Sequence, residues 1–194
     1  MKPIARRATF ADRAAILDIL GGAFEDDPFV GWVTRRRPRA RRRYLELVLD
    51  RLTMPHGHVY LTDVSVSLWV PPGAWALTLG QQLRMLPAVA GIVGIGRLGR
   101  MARASEAIEA ERPGEYWYLA LIATRKEARG SGAGSAVMTP VLERCDEEAQ
   151  KAVLETSHPP NLAWYGRFGF ETGRRLDLGS SAPPVWSLVR APKT

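Results

Sequence analysis

Two hydrophobic periods run through this chain. From Tyr116 to Ala123 almost every position is aromatic or aliphatic, the pattern of a strand buried on both faces. Ser135 to Gln150 then carries Val137, Val141, Leu142 and Cys145 at helical spacing. Upstream, Ile4 to Ala8 reads as a short first strand, and Thr9 with Asp12 forms a capping-box signature for a helix running to about Phe24. The loop Glu25-Asp26-Asp27-Pro28 breaks it. A further helix is predicted over Pro38 to Leu52, ending before Pro55. His58 to Leu61 and Val64 to Val70 read as a hairpin turning at Thr62-Asp63 and closed by Pro71-Pro72-Gly73. Residues 74–111 contain helix-forming stretches interrupted by Pro87 and glycines, and Arg112-Pro113-Gly114 leads into the buried strand. The tail predicts a strand Val153 to Thr156, a helix Asn161 to Phe168, and strands near Phe170 to Asp177 and Val185 to Val189. The order is strand-rich mixed α/β, without an internal repeat.

At 194 residues the chain suits one domain over residues 1–194. Its one cysteine, Cys145, excludes an internal disulfide and sits at an apolar helical position, so it reads as a packed thiol in a reducing compartment. No charged-then-apolar leader opens the chain, and the uncharged run Met85 to Gly96 is shorter than the roughly 20 residues that span a bilayer. These features predict a cytoplasmic location and no membrane partner. The net charge is +7, and 23 of the 27 basic residues are arginine. Seven of those arginines fall between Arg35 and Arg43, ahead of Tyr44, Leu45, Leu47, Val48 and Leu52 at helical spacing. No base-reading motif accompanies them, so a solvated helix face is expected rather than a nucleic-acid site, with an anionic partner left open.

The candidate chemistry lies between the buried strand and the helix after it. Arg129-Gly130-Ser131-Gly132-Ala133-Gly134 places a base and three glycines where a strand hands over to a helix. Glycine permits positive φ and close backbone approach, and a helix start presents unpaired N–H groups with a positive dipole end. An anion should bind there. The stretch lacks the Gly-Lys-Ser/Thr of a P-loop and the spacing of a dinucleotide loop. A literal Gly-x-Gly-x-x-Gly does occur at Gly94 to Gly99, but in mid-chain after a poor strand, so tight helix packing is the better reading there.

Arg129, Gly132 and Gly134 fit the pattern Arg/Gln-x-x-Gly-x-Gly/Ala, which resembles the acetyl-CoA pyrophosphate loop of the GNAT acyltransferase superfamily. A second block strengthens the resemblance: Leu154-Glu155-Thr156-Ser157, then Asn161, Tyr165 and Gly169-Phe170 in an Asn-x-x-x-Tyr-x-x-x-Gly-Phe arrangement. The layout from 115 to 189 is similar to the puromycin N-acetyltransferase-like subgroup. The resemblance implies a mixed, mostly antiparallel sheet with two splayed parallel strands and flanking helices. It also implies acetyl-CoA as the cofactor, bound by Ile122, Ala123, Thr124, Arg129, Gly130, Ser131, Gly132, Ala133, Gly134, Asn161 and Tyr165. A small-molecule or peptide amine is the expected acceptor, with a homodimer left open and no metal, since the three histidines and one cysteine lack ligand spacing.

The resemblance has departures. Relatives carry Val-x-Pro where this chain has Thr124-Arg125-Lys126, and the expected β-bulge over Ile122 to Thr124 uses main-chain groups that tolerate the change. Arg125 and Lys126 add charge beside the phosphates. Some relatives place a glutamate base where Tyr118 stands, and a phenol of pKa about 10 is a poor base at neutral pH. The expected mechanism is direct attack of an amine on the thioester. Backbone N–H groups of Ile122 to Thr124 polarise the carbonyl and Tyr165 protonates the leaving thiolate. For the base, Glu115 is the residue chosen, with Asp26, Asp27, Glu155, His56, His58 and water-mediated deprotonation as alternatives. The acceptor is expected to meet residues 25–33 and 71–112, where Trp32 and Trp75, with Trp69 and Trp117, suggest an aromatic pocket. The other reading is a catalytically weak CoA-binding or nucleic-acid-binding regulator that uses the Arg35 to Arg43 face.

Overall fold

The computed structural model describes residues 3–75, 78–110, 112 and 114–193, so Pro113 of the turn before the buried strand lies outside the described residues. Its strands are β1 (Arg6–Arg7), β2 (Val59–Leu61), β3 (Ser65–Val70), β4 (Tyr116–Thr124), β5 (Lys151–Thr156), β6 (Glu171–Leu176) and β7 (Val185–Arg190). They form one sheet in the order β1-β2-β3-β4-β5-β7-β6. Neighbours are antiparallel except β4 and β5, which run parallel. The α-helices are α1 (Arg13–Ala23), α2 (Pro28–Thr34), α3 (Pro38–Leu47), α4 (Leu79–Val93), α5 (Leu98–Glu109), α6 (Ala133–Glu147) and α7 (Pro159–Gly166).

The sheet divides two apolar layers. On one side Trp69, Trp117 and Leu119 meet Val137, Val141 and the fully buried Cys145 of α6. On the other, Leu68, Leu121 and Ala123 meet Ile16, Ile19 and Leu20 of α1 and Leu45 of α3. β4 serves both layers because of a bulge: Leu68 pairs with Leu121, Trp69 pairs with Leu119, and Ala120 is the extra residue. Side chains alternate along a strand, so one unpaired residue inverts their phase. Trp117 and Leu119 therefore face α6, whereas Leu121 and Ala123 face α1. The bulge predicted at Ile122 to Thr124 is corrected to Ala120, the step at which the strand changes which layer it fills.

The helices follow their caps more closely than their apolar spacing. The Thr9 N–H donates to Asp12 Oδ2 at 2.8 Å, and a 3-10 turn at Phe10–Asp12 leads into α1. α2 was not expected, yet Asp27 is its N-cap and Pro28 its first residue, a favourable pair for starting a helix. α3 exposes Arg39, Arg42 and Arg43 while burying Ala40 and Leu45, so the arginine run is a solvated face. Pro87 does not interrupt α4; the break falls at Gly94, whose φ is +90°. A proline removes one N–H from a helix that is exposed at that point, whereas φ of +90° suits only glycine. α5 then leaves at 101° to α4. A Cβ at Gly96 or Gly99 would meet open space, so the tight helix packing expected of these glycines is not found there. Among the described residues, no single helix is long and apolar enough to cross a membrane.

Candidate active site

β4 and β5 pair at Tyr116–Lys151, Trp117–Ala152 and Tyr118–Val153, and then part. β4 continues to Thr124 and β5 to Thr156, so the strands splay as the sequence resemblance implied. Alternate backbone groups of β4 beyond Tyr118 thus lose their partner on that side and face a cleft of about 690 Å³. The cleft gathers Ile122, Ala123, Thr124, Arg129, Gly130, Gly132, Ala133, Gly134, Asn161 and Tyr165, all the predicted cofactor residues except Ser131.

Each glycine of the loop has its own reason. Gly130 and Gly132 adopt φ of +83° and +86°, and Gly132 is the N-cap of α6. Gly134 is required by space: a Cβ there would lie 3.2 Å from Thr124 Oγ1 and 3.3 Å from Trp164 Cζ2. Ser131 holds the turn instead of lining the cleft, its Oγ accepting the Ala133 N–H at 3.3 Å. The first amides of α6 have no intrahelical acceptor, so the cleft floor is a concentration of N–H donors at a helix N-terminus. Lys126 also lines the cleft and pairs with Asp26 at 3.6 Å, while Arg125 is drawn away to Asp18 at 2.5 Å.

A smaller cavity, about 130 Å³, continues from the cleft. The two share Phe24, Asp27, Ile122, Asn161 and Tyr165, which form the throat between them. Beyond the throat the walls are chiefly Phe29, Tyr44, Tyr118, Glu155 and Ser157. Asp27 Oδ1 accepts the Val30 N–H at 2.8 Å, and burial holds its carboxyl above the ordinary aspartate range. Tyr165 is 5% exposed, with its ring against Trp164 and Phe170 at 5.0 and 5.9 Å. Burial, helped by the Asp27 charge, raises its phenol above the usual tyrosine value, so the proton stays on oxygen. Tyr44 is raised in the same way by burial and then by Asp27 and Glu155. Tyr118 donates its hydroxyl to Glu155 Oε2 at 2.8 Å, and the buried Ser157 Oγ lies beside the Asp27 carboxyl.

The structure does not bring every candidate to this throat. Glu115 is exposed ahead of β4, six residues and so about 20 Å along the strand from Leu121. It lines neither cavity, so Glu115 stands apart from the other predicted residues. Asp26 points to Lys126. His58 packs edge-on against Trp117 at 4.6 Å, and burial lowers it to about 4. Asn161 is the third residue of α7, whose N-cap is His158, so its side chain is not the cap of its own helix. Of the four tryptophans, Trp69 and Trp117 are core and none lines the small cavity. The aromatic walls are Phe24, Phe29, Tyr44, Tyr118 and Tyr165. Tyr44 escaped notice because its spacing reads as one more apolar position of α3. The Asp27-Pro28 cap signal was the available clue to α2, which carries Phe29 into the wall.

Comparison with known proteins matches this architecture. A curated relative, an uncharacterized N-acetyltransferase of Schizosaccharomyces pombe, is 29% identical over 86 residues, which is 43% of this chain and 35% of that protein's length. The match therefore spans about a third of that relative. The Corynebacterium glutamicum structure named histone acetyltransferase HPA2 and related acetyltransferase superposes with a TM-score of 0.72 at 24% identity, covering 100% of this chain and 98% of that one. The polyamine N-acetyltransferase of Drosophila melanogaster gives 0.69 at 12% identity over 97% of this chain and 99% of its own. At these identities the likeness shows the fold. The model of the acetyltransferase (GNAT) family matches residues 69–170, from β3 through the glycine loop to the end of the Asn161–Phe170 block. With that match covering more than half of its length, the chain belongs to the GNAT acetyltransferase family.

Proposed function

We propose that this chain transfers the acetyl group of acetyl-CoA to the primary amine of a small-molecule or peptide-like acceptor. The observation that carries the reading is the throat: a cleft rich in backbone groups and a smaller cavity meet at residues that include Asp27 and Tyr165, which line both. The cleft suits a pyrophosphate on the first turn of α6 and a pantetheine arm in the gap between β4 and β5. Members of the family use acetyl-CoA in this way, and the glycine loop, Asn161 and Tyr165 are the residues assigned to it. Solved relatives of the same fold include a polyamine N-acetyltransferase, which supports an amine as acceptor.

Asp27 is assigned as the base in place of Glu115. It attracts an ammonium into the small cavity and takes one proton from it, which frees the nitrogen lone pair for attack on the thioester carbonyl. Its position supports this, because it lines both cavities and its carboxyl is already raised by burial toward a working base. Backbone N–H groups of β4 past the bulge stabilise the oxyanion, a preorganised donation worth about 3 kcal/mol. Tyr165, held protonated at neutral pH, gives its proton to the CoA thiolate as the tetrahedral species collapses. Glu155 is engaged by Tyr118 and Arg112, so it is assigned to the cavity wall and not to proton transfer.

The test is acetyl-CoA turnover against a panel of primary amines, followed by release of free thiol, together with calorimetry of acetyl-CoA binding. Puromycin belongs in the panel because of the subgroup that the sequence resembles. Micromolar binding with turnover of at least one amine is expected. Absence of acetyl-CoA binding would overturn the reading.

A further inference from the structure

Arg112 is held as a ligand is held. It lies between α5 and β4, yet its side chain is 2% exposed. Nε and Nη2 donate in parallel to the two oxygens of Glu155, each at 3.3 Å. Nη1 donates to Glu109 Oε1 at 2.7 Å and to the Tyr116 hydroxyl at 3.4 Å. The guanidinium carbon sits 4.0 Å from the ring centre of Tyr118 and 4.6 Å from that of Trp75, and the two rings meet edge-on. The Trp75 indole N–H in turn donates to Glu109. A bidentate carboxylate, a second carboxylate and two aromatic faces are what a receptor for a planar cation requires.

Two walls of this enclosure, Tyr118 and Glu155, are also walls of the acceptor cavity. The cation is therefore next to the place where the acceptor binds. With Arg112 present, Glu155 is neutralised, and Asp27 is the remaining carboxylate on the cavity lining. The guanidinium lies behind the Tyr118 and Glu155 walls, so a second positive charge on an acceptor would be repelled across them.

We propose that Trp75, Tyr116, Tyr118, Glu109 and Glu155 form a guanidinium-binding box that Arg112 fills from within the chain, restricting the acceptor to amines with one positive charge. The restriction rests on the acetyl transfer proposed above; the box does not. Without Arg112, two carboxylates in an aromatic enclosure would recruit a cation from solution or from the acceptor itself.

The first test does not depend on catalysis. Methylguanidinium at about 10 mM should raise the thermal midpoint of Arg112→Ala by several degrees, because a ligand that binds only the folded state stabilises it. N-methylurea, of the same shape without the charge, should not, and the wild-type chain should respond to neither. Equal responses of variant and wild type to methylguanidinium would overturn the box. Should Arg112→Ala fail to fold alone, Arg112→Gln is measured beside it. Recovery of folding specifically in methylguanidinium supports the box, and failure of both variants in its presence overturns it. For the restriction, the kcat/KM ratio of 4-aminobutylguanidine to n-pentylamine should rise at least about tenfold in Arg112→Ala, the scale on which pocket contacts discriminate substrates. An unchanged ratio overturns it. If the wild type acetylates no amine, the acetyl-transfer reading falls and the restriction with it, while the methylguanidinium result still decides the box.

Discussion

The cleft proposed for the donor and the cavity proposed for the acceptor meet at one throat but are built by different means. The cleft of about 690 Å³ draws much of its lining from one stretch of chain, residues 122–135, and much of what it offers is backbone. The cavity of about 130 Å³ is lined by residues of the loop after α1, of α2, α3, α5, β4, β5 and the residue after it, α7 and β7. Backbone donors at a helix start recognise any pyrophosphate, whatever the local side chains. Side chains collected from distant segments recognise one shape and charge, and change with each substitution. On the proposed reading, the common cosubstrate and the individual acceptor are recognised by two kinds of structure.

This division is open to direct attack. The largest effect is expected from Asp27→Asn, which should lower kcat by about 10²- to 10⁴-fold, the usual scale for a general base. Acetyl-CoA affinity, measured by calorimetry, should change far less; an equal loss would erase the distinction between the two cavities. The same residue sets a pH dependence. Burial raises the Asp27 carboxyl, so its basic form is lost as pH falls through that raised value. The acid limb of kcat/KM should therefore lie above the ordinary aspartate value of about 3.9 and be absent in Asp27→Asn. Next, Tyr165→Phe should reduce turnover by about 10²-fold while still binding CoA, and unchanged turnover would remove Tyr165 from the mechanism.

On the donor side, Gly132→Val places a branched residue at φ of +86°. A strain of about 1–2 kcal/mol predicts a KM for acetyl-CoA raised about tenfold, with the acceptor KM moving much less. Parallel changes in both would show that the loop shapes the acceptor cavity as well. The smallest functional effect is expected from Asp146→Ala, remote from both cavities. Asp146 Oδ2 accepts from the buried Arg190 at 2.7 Å. Its loss should cost about 1–3 kcal/mol in urea unfolding and leave both KM values in place. The Arg190 hydrogen bond lowers the Asp146 carboxyl, so this stabilisation is present above the ordinary carboxylate range and fades as pH falls through the depressed value.

Legibility in the sequence followed the same division. Gly130 and Gly132 were readable because positive φ is a local constraint, while Gly134, crowded by Thr124 and Trp164 from other elements, was readable only from its spacing in the motif. Asn161 and Tyr165, four apart on one helix, were readable for the same reason. β4 announced itself by a continuous apolar run, whereas β6, with Glu171, Thr172, Arg174 and Arg175, carries no such signal. Glu115 misled because a strand's sequence does not say which of its ends opens into a slot. Tyr44 was hidden inside the apolar spacing of α3, and Phe29 lay between the loop read at residues 25–28 and the helix predicted from Pro38, where no element is predicted. Pro87 was credited with a break that Gly94 makes, since a solvent-facing helix tolerates one missing N–H more readily than a non-glycine residue tolerates φ of +90°.

The course of β4 past both cavities has a consequence for how such a protein diversifies. Tyr118 through Leu121 line only the small cavity, Ile122 lines both, and Ala123 and Thr124 line only the cleft. On the proposed reading, one strand therefore carries two stretches joined at Ile122. Substitutions at Tyr118 would change which amine is accepted, those at Thr124 how CoA is held, and those at Ile122 both. New acceptor preferences can then arise by drift at one end of the strand while the acetyl supply is inherited unaltered at the other.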